Sequence, residues 1–437
     1  MRKAVILVLS VIMIISAGCV SKPAEEKKVP AEIRIGLVAP LTGAASTTGT
    51  DMWQAAELAV EEINARGGVF VKEYNKKLPI KLIKGDTETS RESGVKAVTK
   101  LITEDKVNLL VGGFSSGITY ADQVVAAQYK VPFIITGAST PLVTRRTDID
   151  TSYMFHHCPT TDDYPEATLL FVDKVIRPKI NEKFGFPEDR KLRLAVLYQD
   201  SKYGQGVLEG VKKAISKHNL NIEIVAEEKF KMGETDFRTV LTSIKSKNPD
   251  VIYPAAFLNE QAPIVIQGRR DVGLNVIYLS VECNDDPDYY KGVGKWGEFS
   301  IQESRFSPYT VPKGDLKDKV MKFKQAYKQR WGSEPSMMAA STYEGIYIAA
   351  KAIENAGSLD RDKIKDALET LEMPEIVEAM KDGTIKFSKD THESKFELYM
   401  QQLFFNESIS ELRPKIVYPK HLKEVDFILP EWYSPGE

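Results

Sequence analysis

From Ile33 onward the sequence alternates short apolar runs with longer amphipathic ones, and this alternation limits the possible architectures most. IRIGLVAPL reads as a buried strand. The next run, DMWQAAELAVEEINARGG, puts Trp53, Ala56, Val60 and Ile63 on one helical face, with Gly67 and Gly68 to stop it. LPIKLIKGDT is a strand. SRESGVKAVTKLITED is a helix, with Ser90 as its N-cap and Val95, Val98, Leu101 and Ile102 as its apolar stripe. VNLLVGG and VPFIITG are short buried strands on either side of the helical ITYADQVVAAQYK. Strands and helices in this alternation build a parallel sheet with helices on both faces. Ligands of such sheets bind at the loops beyond the carboxyl ends of the strands. Those loops here are APLTGAASTTG, GGFSSG and TGASTP, all rich in Gly, Ser and Thr.

The pattern then restarts. TSYMFHH leads to a helix near Pro165 to Val175. LRLAVLYQD, NIEIVAEEKF, DVIYPAAF and NVIYLSVE are strands, separated by the helical SKYGQGVLEGVKKAISKHN, TDFRTVLTSIKSKNP and EQAPIVIQGRRDVGL. After about Phe306 helices return, in KDKVMKFKQAYKQRW, SMMAASTYEGIYIAAKAIENAG and DRDKIKDALETL. DGTIKFSKDTHESKFELYMQQLFF reads as a β-hairpin, and the Pro-rich tail after Arg413 as a surface wrap. The expected fold class is α/β, with two doubly wound parallel-sheet lobes joined by a hinge. Residues 32–155 plus about 307–383 form lobe 1; residues 156–306 plus about 384–437 form lobe 2 with the C-terminal tail. At 437 residues and 43% hydrophobic content, the chain has material for two cores, where single cores rarely exceed roughly 250–300 residues. Two such lobes imply a cleft, a common ligand site that closes by hinge motion.

Residues 1–18 have the anatomy of a signal peptide: Arg2-Lys3, an apolar run too short to span a membrane, then SAGC. Small residues before Cys19 resemble a lipobox, which implies cleavage and lipidation at Cys19; an uncleaved anchor or free secretion are the alternatives. Residues 19–31 are charged and punctuated by proline, and read as a flexible tether. The expected location is extracytoplasmic, lipid-anchored to the outer face of the cell membrane. A net charge of −2 argues against nucleic acid as a partner. Outside the cytoplasm Cys158 and Cys283 are free to form a disulfide, but spacing cannot decide whether they do. The five histidines show no metal-binding spacing, and no metal or cofactor is expected. His156-His157 falls on a strand and reads as structural.

Gly113-Phe114-Ser115-Ser116-Gly117 fits G-x-S-x-G, the nucleophile elbow of serine hydrolases, and it follows a strand and precedes a helix as that motif requires. Such an enzyme also needs an acid and then a histidine further along, and an oxyanion loop upstream. No such loop precedes Ser115, and His218, His392 and His421 fall at a helix end, a turn and the tail. The same residues also suit binding. Ser115, Ser116 and Thr119 stand at a helix N-terminus, where free N–H groups and the helix dipole favour an anion. The neighbouring TGASTP loop adds Ser139 and Thr140. Ordinary turn and capping chemistry accounts for these residue types equally well.

Taken in order, IRIGLVAPLTG, AAELAVEEINARGGV, VNLLVGGFSS, VPFIITGAST, YGQG, DVIY and VEC resemble the leucine/isoleucine/valine-binding family, from about Ile33 to near Phe405. These are extracytoplasmic solute receptors of ABC importers with the type I periplasmic-binding, Venus-flytrap fold. The family also includes receptors for amides, urea and aromatic acids. The resemblance implies that a ligand carboxylate meets Ser116 and Thr140, with backbone around Phe114 and Ala138; Ser115 and Ser139, from the loop reading above, stand alongside as ligand-binding candidates. It implies that an ammonium group meets Glu282, that Tyr203 adds an aromatic contact, and that Phe257 and Met338 line the pocket. A buried zwitterion needs partners at both ends, which agrees with this division. Glu282 beside Asp285 and Asp286 also reads as a solvated loop acid.

Three departures touch the side-chain pocket. Thr48 lies near the place of a frequent tyrosine, Cys283 replaces a usual glycine, and Met338 replaces a bulky aromatic of some members. Trp53 reads either as a pocket wall or as core. The expected function is a non-enzymatic receptor that binds a small amino acid, branched-chain-like or otherwise neutral or aromatic, and delivers it to an ABC permease and ATPase. A receptor for amides, urea or aromatic carboxylic acids is the first alternative, and a serine hydrolase using Ser115 the second.

Overall fold

The computed structural model describes residues 29–311 and 314–434. The signal segment, Cys19 and most of the proposed tether lie outside these residues. The first sheet comprises β1 (Ile33–Ala39), β2 (Ile80–Asp86), β3 (Leu109–Gly112), β4 (Phe133–Ile135) and β5 (Met154–His156), in the order β2-β1-β3-β4-β5. Every pair is parallel. β3 and β4 are buried at every residue, as strands covered on both faces must be. Helices α1 (Ser46–Ala65), α2 (Arg91–Thr103) and α3 (Ser116–Gln128) follow β1, β2 and β3. Ser90 caps α2, its side chain accepting from the Ser93 N–H at 3.4 Å.

The second sheet has seven strands: β6 (Leu192–Gln199), β7 (Ile222–Phe230), β8 (Val251–Ala255), β9 (Ile277–Ser280), β10 (Ile301–Ser304), β11 (Tyr399–Asn406) and β12 (Glu411–Tyr418). Their order is β12-β11-β10-β9-β8-β6-β7; β6 to β10 pair in parallel, while β11 runs antiparallel to both β10 and β12. Helices α4 (Asp163–Phe171), α5 (Lys202–His218) and α6 (Leu258–Ile266) pack with this sheet. After β10 the chain returns through α7 (Leu316–Trp331) and α8 (Met337–Ala356), and α8 packs along α1. The chain therefore passes between the two sheets after His156, after Ser304, and between Ala356 and Tyr399.

Three expectations need correction. The segment Asp382 to Phe405 does not fold as a hairpin on itself. Thr384–Lys386 pairs instead with Glu372–Pro374, and β11 pairs with β10 and β12. Proline does not end the sheet at Arg413: Pro414 lies buried within β12, opposite Leu403. β12 is the edge strand, where a missing N–H costs no ladder bond. The helix expected to end near Val175 continues through a wide turn, Val172–Ile176, into Arg177–Phe184.

Candidate functional site

The carboxyl ends of β3 and β4 meet at one face of the cleft. Gly112 and Gly113 have φ of +112° and +78°, which glycine adopts without strain, and they turn the chain from β3 into α3. Ser115 stands at the N-cap of α3, whose first N–H groups have no partner within the helix. The Thr140 N–H donates to Ser116 Oγ at 3.1 Å, which locks the two loops together. The Leu142 N–H donates to Thr140 Oγ1 at 3.4 Å. With each hydroxyl oxygen already accepting, its hydrogen is left to donate, and two such donors on adjacent loops suit a carboxylate. Ala138 contributes its carbonyl to His156 Nε2 at 2.7 Å.

The second sheet supplies the opposite wall. Phe114, Gly137, Ser139, Tyr164, Tyr203, Phe257, Glu282 and Cys283 enclose one cavity of about 10 Å³, room for about one water molecule. The Phe114 and Phe257 rings lie 4.8 Å apart, and Tyr203 stacks on Phe257 at 5.1 Å. Asn259 of α6 donates to the Ala44 carbonyl, so the lobes touch across the cleft mouth. Close approach continues under Tyr203, where a Cβ on Gly204 would stand 2.0 Å from the Gln199 carbonyl oxygen. Phe114, Ser139, Tyr203, Phe257 and Glu282 thus share one cavity. Ser115, Ser116, Ala138 and Thr140 form the loops behind it. Met338 sits against Gly137, with its methyl 2.5 Å from where a Cβ there would fall. Trp53 packs on the first lobe's core under the Lys84 ammonium, outside this lining.

Glu282 is not a solvated loop acid. It is buried, and Tyr164 donates to its Oε1 at 2.6 Å while Arg305 pairs with its Oε2. Arg305 also donates from Nε to Glu378 Oε1 at 2.7 Å and from Nη2 to Ser341 Oγ at 3.0 Å. Glu378 lies 3.4 Å from His157 Nε2, which bonds Glu344 at 2.9 Å. Burial lowers the His157 pKa, but Glu344 and Glu378 outweigh it and hold the imidazole above its ordinary value. Burial likewise raises Glu378, and Arg305 and His157 outweigh it in the other direction. Burial keeps Glu344 raised.

The ligand-type atoms of His157, Glu344 and Glu378 lie within 4.8 Å of one another. Arg305 and three backbone N–H groups, those of Ile376, Val377 and Glu378, already engage these carboxylates, an arrangement unsuited to a cation. His157 reads from the sequence only as structural, and Arg305, Tyr164, Glu344 and Glu378 carry no motif that marks them. A charged residue just after a strand gives no local sign of burial.

Cys158 and Cys283 are free thiols, and burial pushes both up. No histidine reaches Ser115. His156, His157, His218, His392 and His421 bond respectively to Ala138, to Glu344 and Ser394, to Glu166, to the Met154 carbonyl and to Glu397. No helix among the described residues is long and apolar enough to cross a membrane.

Two α/β lobes that face each other across a small cavity lined by both are the architecture of a solute-binding protein. The chain matches the periplasmic binding protein family over residues 32–407, and it belongs to that family of ABC-transporter solute receptors. It is 28% identical over 349 residues to an "Amino acid binding protein" of Pseudomonas aeruginosa, covering 78% of this chain and 83% of that one. Among solved structures it is similar to the branched-chain amino acid transporter substrate binding protein LivJ of Streptococcus pneumoniae in complex with isoleucine, with a TM-score of 0.71 and 25% identity, covering 88% and 99% of the two chains. A solute binding protein of Rhodopseudomonas palustris in complex with 3,4-dihydroxybenzoic acid shares the fold, with a TM-score of 0.71 and 21% identity over 89% and 97% of the chains.

Proposed function

We propose that this receptor closes on a small α-amino acid and presents it to a membrane permease, without any catalytic step of its own. The observation that carries this reading is the pairing of opposite chemistries across one cleft. Ser116 and Thr140 offer hydroxyl donors on the first lobe, and Glu282 lies on the facing wall. Together with Glu282, the buried network of Glu344 and Glu378 holds three carboxylates against one guanidinium and one imidazole. Formally that leaves an excess negative charge, which favours an ammonium group. In this reading residues 32–155 and about 307–383 form one lobe, and residues 156–306 and about 384–437 the other. Lipidation at Cys19, outside the described residues, holds the receptor at the outer face of the membrane.

A second reading rests on a specific feature. Glu282 already has Arg305 as a partner, and Phe114, Phe257 and Tyr203 form an aromatic wall. A benzoate-like ligand uses the same carboxylate seat and needs no ammonium partner. A thermal-shift panel separates the two. L-Leucine, L-isoleucine, L-valine and L-phenylalanine are compared with benzoate, 4-hydroxybenzoate, acetamide and urea. At a hundred times Kd, a ligand of the folded form adds about 2.7 kcal/mol. The amino acids are expected to raise the midpoint. A response to the benzoates alone supports the second reading, and no response from any class contradicts the receptor reading.

A further inference from the structure

We infer that Arg305 is a positioning residue for ligand recognition: it fixes the Glu282 carboxylate in the cleft wall and ties it to the places where the chain crosses between lobes. The inference rests on the amino-acid reading above. Arg305 follows the last residue of β10, at the second crossing, and is fully buried. Its guanidinium lies 4.8 Å from the centre of the Phe396 ring and reaches in three directions. Nη1 takes Glu282 in the cleft wall, and Nε takes Glu378 in the third crossing. Nη2 takes Ser341 on α8, and Ser341 donates to the Thr136 carbonyl at 2.7 Å, at the start of the loop that carries Ser139 and Thr140. Through Glu378 the network reaches His157 at the first crossing, and His157 bonds Ser394 in the third at 3.0 Å. One side chain therefore connects the acid facing the ligand's cationic end with the loop facing its carboxylate.

This geometry needs a planar fork. Lysine keeps the charge but cannot reach three partners at fixed angles. An Arg305→Lys protein keeps Tyr164 on Glu282 Oε1 but loses the fixed partner of Oε2, so the carboxylate can pivot about the tyrosine and away from the ammonium of a ligand. Loss of Glu282 placement therefore weakens a zwitterion and spares a simple carboxylate.

The test is calorimetry on the unaltered protein, Arg305→Lys and Ser341→Ala, with two probe pairs. These are L-leucine against 4-methylpentanoate and L-phenylalanine against 3-phenylpropanoate. Arg305→Lys is expected to lower the amino acid's advantage over its deaminated counterpart about ten-fold or more, the scale of one charge-assisted hydrogen bond. Affinity for the deaminated acid is expected to hold within about three-fold, the usual spread for a perturbation outside its contacts. Ser341→Ala keeps every charge and removes one anchor of the fork together with the bond to the Thr136 carbonyl; the expected loss in the same ratio is about three-fold. A merely structural role would weaken both members of each pair together. If the amino acids bind and neither variant changes the ratio, the inference fails alone. If neither amino acid binds the unaltered protein, the amino-acid reading fails, and this inference with it.

Discussion

Glu344→Ala is expected to lower the unfolding free energy by about 4 kcal/mol or more, among the larger effects available to a single substitution. Glu344 Oε1 accepts from the backbone N–H groups of Ile376, Val377 and Glu378 at 3.1, 2.6 and 2.8 Å. Its Oε2 accepts from His157. Alanine leaves two buried N–H donors and one half-buried one without an acceptor and takes from the imidazole its nearer partner, leaving it only Glu378 at 3.4 Å, and each orphaned buried donor costs about 1–3 kcal/mol. Glu344→Gln keeps an oxygen in place and is expected to cost about half as much, because a neutral acceptor gives weaker bonds. Urea unfolding followed by circular dichroism measures both. An alanine variant within about 1 kcal/mol of the unaltered protein would show that this junction does not hold the third crossing. The sign with pH follows from His157. Its folded pKa is raised, so the stability it contributes is fully present below its unfolded value and fades as pH rises through the folded one.

Asp122→Asn is expected to have the opposite effect and to stabilise the protein at neutral and alkaline pH. Asp122 lies inside α3 with both carboxylate oxygens buried and unpartnered. It faces α2 at Gly94, where a Cβ would stand 3.3 Å from its Oδ2. Burial pushes its carboxyl up to about 8 from 3.8. Between those values the unfolded chain ionises this group and the folded chain keeps its proton. Stability therefore falls as pH rises from about 4 to 8, by about 1.4 kcal/mol per unit in the limit of a fully shifted group. Asparagine removes this slope. The expected gain is on the order of 2–4 kcal/mol at pH 8, with almost no difference near pH 4. Unfolding curves collected at both pH values test this, and an equal effect at both would contradict the assignment.

Much of the scaffold was legible because its signals are local. The buried runs that became β1, β3 and β4 and the serine that caps α2 need no knowledge of distant residues. Pairing partners are a different matter. Thr384–Lys386 and β11 both read as strands, but nothing in their own residues shows that one joins Glu372–Pro374 and the other the second lobe's sheet. The same divide runs through the site. The hydroxyls of Ser116 and Thr140 sit in loops whose place at the ends of β3 and β4 follows from the strand–helix pattern. Arg305 and Glu378 lie about seventy residues apart, and only the chain crossings make them partners. The same crossings turned Glu282 from an acid facing solvent into one held by Arg305 and Tyr164.

We propose that the GGFSSG and TGAST loops hold the carboxylate of a small solute. Titration calorimetry of the strongest ligand from the thermal-shift panel against Ser116→Ala/Thr140→Val, with Ser115→Ala beside it, tests this most directly. The double variant is expected to bind about a hundred-fold more weakly, the loss of two hydrogen bonds to a charged group, and Ser115→Ala within about ten-fold of the unaltered protein. Unchanged affinity in the double variant would place the ligand's carboxylate elsewhere and contradict its seating on these two loops.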